Sequence, residues 1–339
     1  MKRALSIFGM LVLFTGLCSA QEGWIKQDPF IIKDFNDICF LNADTGWIAG
    51  NAGTLLHSVN GGSSWEIINL PTNEWFSDLH FADNLTAWLV GMNGYIAKTT
   101  DGGQEWNTVS SACSSNINSI HFIDESSGWL AGDKGCLLSS NDGGDSWNIL
   151  TPGTADKLRK VFFTDINNGW TVGGDASAVL KHTKNAGETW DDQDLPFDEK
   201  LFSLFFFDLY NGWVGGYSHL FYTTDIGESW QMSDVVFEDA IEDIFFINPQ
   251  KGWLVAGNKI FHSADGGISW DLQEAIETNK SLHAITFVDE YHGWTCGESG
   301  TLYITHDGGG STGIINVAAA DISIYPNPSR GSLSIEFDQ

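Results

Sequence analysis

Basic residues are scarce in this chain of 339 residues: Lys and Arg total 16 against 44 Asp plus Glu, a formal net charge of −28. Arginine occurs only at Arg3, Arg159 and Arg330. A surface of that sign repels phosphate backbones and anionic headgroups, which excludes a nucleic-acid partner. Cysteine is sparse as well, five in all, and no pair has the spacing of zinc ligands. His-Glu-x-x-His does not occur, so neither a metal nor another cofactor is expected. Beyond the first twenty residues no segment keeps a helical period, and no apolar run is long enough to span a bilayer.

Residues 1–20 read as a secretory leader, with Lys2-Arg3 as the basic start, Ala4 to Leu17 as the apolar core and Cys18-Ser19-Ala20 as the cleavage site before Gln21. Export through the periplasm to the cell surface or medium is therefore expected, with no membrane span once the leader is gone. Four cysteines then remain, Cys39, Cys113, Cys136 and Cys296, in a setting that permits disulfides.

What the chain has in abundance is glycine, 38 residues, and tryptophan, 15. Both fall in repeats. Ser263-Ala264-Asp265-Gly266-Gly267-Ile268-Ser269-Trp270 has counterparts at Ser58 to Trp65, Thr99 to Trp106, Ser140 to Trp147, Thr183 to Trp190 and Thr223 to Trp230. A seventh copy begins at Thr305 and has Thr312 where the tryptophan would stand. Each reads as a tight turn between strands: Asn60, Asp101, Asp142, Asn185, Asp225, Asp265 and Asp307 cap backbone amides, and the Trp anchors the next strand. The last Gly is invariant across the copies, whereas Ala186 and Ile226 replace the first, so the second position is expected to carry the steric demand.

A second ladder runs between these turns, at Trp47, Trp88, Trp129, Trp170, Trp213, Trp253 and Trp294, spaced by 41, 41, 41, 43, 40 and 41 residues. Seven residues before each stands a Phe, nine before an aliphatic residue and five before an Asn or Asp. Apolar positions at period two followed by a turn make each unit four short strands, A to D. Seven such units of about 40 residues predict an all-β fold, a seven-bladed β-propeller of four-stranded blades over 21–313. Trp24 lies 41 residues before Trp65, in phase with the D strands, so Gly23-Trp24-Ile25-Lys26 is expected to close the ring as the outer strand of blade 7. Ile314 to Asp321 reads as a linker, and 322–339, with Pro326-Asn327-Pro328 and alternating Leu333, Ile335 and Phe337, as the start of a second β-type module.

The turn resembles the Asp-box of bacterial neuraminidase repeats. The whole unit, with Gly-Trp, Gly-x-x-Gly and Asp-Gly-Gly-x-x-Trp, is similar to the photosystem II stability and assembly factor propellers over residues 24–312. The tail resembles the start of the C-terminal sorting domain of the type IX secretion system, which implies that machinery as a partner. The first resemblance implies a non-catalytic assembly or scaffold role and, by similarity only, photosynthesis. In that family it also implies an arginine patch facing the partner; here Arg159 is the one arginine of the propeller. For the same reason the three-arginine clamp of Asp-box sialidases cannot be built.

In a four-stranded meander the A–B and C–D turns share one face and the B–C and D–A connections the other. The D–A connections vary most and open on the top face around the channel mouth. They bring Trp75, Phe76, Asn118, Arg159, Phe202, Glu242, Asp243 and His283 there, a candidate surface for a protein or a polysaccharide. Trp75 stands outside both ladders; it either contacts a partner or plugs the ring. Cys113 and Cys136 fall on this same face and are expected to pair. The alternative function is an extracellular glycoside hydrolase of the Asp-box type, which requires two carboxylates facing each other across the channel. Asp191-Asp192-Asp194, Asp198-Glu199 and Glu238-Asp239 with Glu242-Asp243 read instead as a solvated acidic rim, and His80 and His121 as core-edge residues.

Overall fold

The computed structural model describes residues 23–273 and 278–310, together with the backbone of 325–326 and 333–334. The leader, the linker at 314–321 and most of the tail fall outside the described residues. Tyr325–Pro326 pairs antiparallel with Leu333–Ser334.

Seven antiparallel sheets of four strands form the ring, an all-β seven-bladed propeller. The innermost strands are Phe35–Phe40, Phe76–Phe81, Ile117–Phe122, Leu158–Phe163, Leu201–Phe206, Ile241–Phe246 and Leu282–Phe287. Six blades follow A-B-C-D in chain order. In the seventh, Trp24–Gln27 supplies the outer strand and pairs with Leu302–Thr305, Trp24 opposite Thr305. The first described strand thus closes the circle, as its phase in the tryptophan ladder predicts. Its indole N–H donates to Gln273 Oε1 at 2.8 Å, and Gln273 Nε2 donates to the Gly308 carbonyl at 2.9 Å.

The core lies between blades rather than within them. In every blade but the second, the phenylalanine of the inner strand receives the B-strand tryptophan of the preceding blade: Trp88 stacks on Phe122 at 3.5 Å between ring centroids, Trp129 on Phe163 at 3.5 Å and Trp253 on Phe287 at 3.7 Å, whereas Trp47 stacks on His57 and lies tilted to Phe81 at 5.9 Å. In those blades the D-strand tryptophan of the same blade meets that Phe edge-on, as Trp147 meets Phe122 at 5.9 Å; in blade 2 Trp106 meets Trp47 instead. Such pairs contribute roughly 0.5–1.5 kcal/mol each beyond the apolar area they bury. The indole N–H then donates across the blade boundary to a turn carbonyl, Trp88 to Gly143 at 3.0 Å and Trp213 to Gly266 at 2.9 Å.

Those carbonyls belong to the repeated turns. In blade 2, Thr99 Oγ1 accepts the Gly103 N–H at 2.9 Å and donates to Asp101, whose Oδ1 in turn accepts the amides of Gln104 and Glu105. The second glycine carries the steric demand, as expected, but not through its φ. Both positions are left-handed, with φ of 72° at Gly102 and 83° at Gly103, and Ala186 and Ile226 hold φ of 59° and 67° at the first. What separates them is space: a Cβ on Gly103 would lie 2.3 Å from the Trp47 ring, whereas on Gly102 its nearest neighbour is the Asn84 carbonyl at 3.1 Å. Positive φ is tolerated in Ala and Ile at modest cost, but a collision with the interblade indole is not.

Candidate functional site at the upper channel mouth

On the top face the D–A connections are seated on the B–C turns. The pair Gly91 and Gly94 shows how. A Cβ on Gly91 would meet the Trp75 carbonyl at 2.1 Å, and one on Gly94 the Cys113 carbonyl at 2.1 Å, so the Gly-x-x-Gly spacing lets two incoming loops lie against one turn. The Met92 N–H donates to the Trp75 carbonyl at 2.9 Å. Backbone pinned in this way leaves the Trp75 indole 45% exposed. The Cys113–Cys136 disulfide, with Cα atoms 6.4 Å apart, ties the loop entering blade 3 to that blade's own B–C turn. Cys39 and Cys296 are free thiols, and burial raises the pKa of both, Cys39 to about 12.

Near its start each inner strand slips register by one residue, between Phe35 and Asp37 in blade 1 and between Ile241 and Asp243 in blade 6. This bulge turns two successive side chains toward the channel at different heights. The upper of the two forms the mouth, from Asn36, Ser77, Asn118, Arg159, Phe202, Glu242 and His283. Together with Trp75, Met92, Asn116 and Lys157 they line a depression of about 520 Å³. The lower of the two, including Asp37, Asp78, Ser119, Lys160 and Asp243, lines a lumen of about 180 Å³. Below them His80, His121, Phe162, Phe205 and Phe245 crowd the channel, His121 stacked on Phe162 at 4.2 Å and Phe205 against Phe245 at 5.6 Å.

The candidate residues therefore divide. Trp75, Arg159, Phe202 and Glu242 meet at the mouth. Asn118 and His283 meet there too, but each is engaged across a blade boundary, Asn118 Nδ2 donating to the Leu158 carbonyl at 2.7 Å and His283 Nδ1 lying 2.8 Å from that of Phe35. Phe76 is a correction: it is 0% exposed and packs against Tyr95, because the inner strand begins at this residue and points it into the core. Asp243 is another, since it lies below the rim in the lumen. The acidic-rim reading fails likewise at Glu199, whose carboxylate accepts the amides of Ser218 and His219, and holds better for the exposed carboxylates of Asp192 and Glu238, which pair with the buried Lys181 and with Lys259. His80 and His121 face the lumen rather than the edge of the core.

Sequence reasoning missed the lumen carboxylates Asp37 and Asp78 and set Asp243 too high. Asp37, Asp78 and Asp243 each accept an inner-strand amide of the next blade, from Leu79 at 2.8 Å, Ile120 at 2.9 Å and Ile285 at 2.9 Å. Lys160 sits among them, its Nζ 3.7 Å from Asp78. Burial alone would lower the lysine pKa, but Asp78, Asp243 and Asp37 outweigh it and raise the pKa. Burial likewise raises Asp243 to about 6, and burial with the neighbouring Asp78 raises Asp37. Their signal was available: they recur three residues before the inner-strand Phe, where polar residues interrupt an apolar strand.

Chemically, the lumen carboxylates serve as interblade acceptors around one lysine. Glu242 is the one acid among the residues lining the mouth, and Asp243, which follows it on the same strand, lines the lumen below. Two carboxylates facing each other across the mouth, as glycoside hydrolysis requires, are not found among the described residues. No group of three or more His, Cys, Asp or Glu among those residues is placed to hold a metal, and no helix is long and apolar enough to cross a membrane.

Comparison with known proteins agrees with this architecture. The family model described as photosynthesis system II assembly factor YCF48 matches residues 62–151, 105–201 and 224–318. Among solved structures, one described as YCF48 bound to D1 peptide is similar with a TM-score of 0.72 at 20% identity, over 84% of this chain and 94% of that one. YCF48 from Cyanidioschyzon merolae gives a TM-score of 0.70 at 19% identity, over 84% of this chain and 98% of that one. At these identities the structures speak for the fold. No curated protein matches the chain by sequence. By the extent of the family match, the chain belongs to the photosynthesis system II assembly factor YCF48 family.

Proposed function

We propose that this propeller is an exported, non-catalytic scaffold that holds a segment of a partner protein at the upper mouth of its channel. The observation that carries the reading is the mouth itself: an exposed indole on a pinned backbone, an aromatic ring at Phe202 and a guanidinium over it at 4.8 Å, around an open depression. Aromatic and arginine side chains on a rigid rim suit a polypeptide, whose backbone and side chains offer both apolar and polar contacts. The solved relative carrying a D1 peptide supports a protein partner for this fold. Export rests on the leader at 1–20, and delivery by the type IX machinery on the tail at 322–339; a mature N-terminus at Gln21 in the culture medium or on the cell surface tests both.

The functional test compares the wild-type protein with Trp75→Ala in affinity capture from the producing cells. The expected result is a protein partner retained by the wild type and depleted about tenfold or more on the variant. Equal retention by both, or hydrolysis of a polysaccharide that disappears in Glu242→Gln, overturns the reading and favours the hydrolase.

A further inference from the structure

Five ionisable side chains line the mouth, and four of them are engaged. Lys157 pairs with Asp133 at 3.6 Å and Lys160 with Asp78 at 3.7 Å. Arg159 donates to the Gly174 carbonyl at 2.6 Å and lies over the Phe202 ring, and His283 meets the Phe35 carbonyl. Glu242 is the exception. It accepts no hydrogen bond and closes no ion pair among the described residues.

An under-solvated carboxylate with no partner is costly, and it gains most from a cation that brings its own hydrogen-bond donors. We propose that Glu242 is the receptor for a basic side chain, a lysine ammonium or arginine guanidinium of the protein segment held at the mouth. This rests on the reading of the mouth as a protein-binding site and adds the chemistry of what it selects. Burial raises the pKa of Glu242, as expected for a carboxylate that lacks such a partner, while His283 and Arg159 act from a distance in the opposite sense. Arg159 keeps its charge and, with Lys157, acts on Glu242 through space, but its guanidinium is directed to Gly174 and Phe202 and closes no ion pair with the carboxylate. Aromatic Phe202, next to Glu242 around the ring, adds a flat apolar surface for the stem of a long basic side chain. The chain's formal net charge of −28 works in the same direction, drawing a basic segment toward the surface before it docks. An arginine patch selects an anion; this mouth, with its cations engaged and its acid free, selects a cation.

The test uses the full propeller and four pentapeptides, acetylated and amidated, with the sequence Gly-Gly-X-Gly-Gly and X as Arg, Lys, Gln or Glu, titrated calorimetrically at low salt. The Arg and Lys peptides are expected to bind about tenfold or more tightly than the Gln peptide. Glu242→Gln should erase that difference while the melting temperature stays at or above the wild-type value. Equal affinity for all four peptides, a preference for Glu, or a basic preference that survives in Glu242→Gln overturns the cation receptor while leaving the mouth a protein site. Binding of none overturns it as well, whereas the protein-site reading is decided separately, by capture on Trp75→Ala and by the hydrolysis assay.

Discussion

Trp294 of the last blade lies flat on Phe40 of the first, ring centroids 3.6 Å apart and planes 6° from parallel. Its indole N–H reaches the Gly61 carbonyl at 2.9 Å, 233 residues away in the chain. One side chain therefore fastens the closing seam by a stack and a hydrogen bond together. Trp294→Ala should cost about 3–5 kcal/mol in denaturant unfolding. A loss under about 1 kcal/mol would mean that the seam is held elsewhere, by Trp24 and Gln273.

The two turn glycines make a paired test. Gly103→Ala places a methyl against the Trp47 ring, and Gly102→Ala places one in left-handed backbone with only the Asn84 carbonyl near it. The first should destabilise by about 2 kcal/mol or more and the second by about 1 kcal/mol. Equal losses would show that φ, not the indole, decides the position.

The disulfide closes a loop with a sequence separation of 23 residues, which predicts a contribution of about 3 kcal/mol by restriction of the unfolded chain. Denatured, unreduced protein lacking the leader should titrate two free thiols, Cys39 and Cys296. Four thiols would contradict the pairing, and Cys113→Ser with Cys136→Ser should lower the melting temperature by several degrees.

Two buried groups give stability opposite pH dependences. His182, 2% exposed and stacked on Trp170, has its pKa lowered to about 4, first by burial and then by Lys184. Unfolding lets it protonate, so its effect is a loss of stability as pH falls below 6.5 toward 4. In His182→Phe the melting temperature relative to wild type should rise steadily over that interval. Asp243 is raised to about 6, so its contribution is present below 3.8 and lost as pH climbs through 6. Asp243→Asn should therefore gain on the wild type between pH 4 and 7, the mirror image of the histidine variant. Parallel pH profiles in either case would contradict the assigned burial.

The architecture was legible because its physics repeats. A turn glycine pressed against its surroundings, by the interblade indole at Gly103, Gly144, Gly227 and Gly267, recurs in every copy, and a phenylalanine that meets a tryptophan recurs at one spacing; even the outer strand of blade 7 could be placed by the phase of Trp24. The mouth was only half legible. Trp75 drew notice by standing outside both ladders. Phe76 and Asp243 were misplaced for one reason: the bulge at the start of each inner strand breaks strict alternation, so Glu242 and Asp243 both turn inward at different heights while Phe76 starts the buried face. The trace the bulge leaves is a polar residue three before the inner-strand Phe, as at Asp37, Asp78 and Asp243, which alternation alone does not interpret. Lys160 passed without comment because its partners Asp37, Asp78 and Asp243 come from three other blades, a proximity that only ring closure creates.

Photo-crosslinking from the mouth tests the functional account most directly. With p-benzoylphenylalanine replacing Trp75 on the top face or Tyr291 on the opposite face, the propeller is irradiated in the cells that make it and its adducts are identified by mass spectrometry. Adducts to a polypeptide at position 75 and none at 291 are predicted, with a basic residue in the crosslinked segment. Adducts confined to 291, or equal at the two positions, would contradict a protein site at the upper mouth.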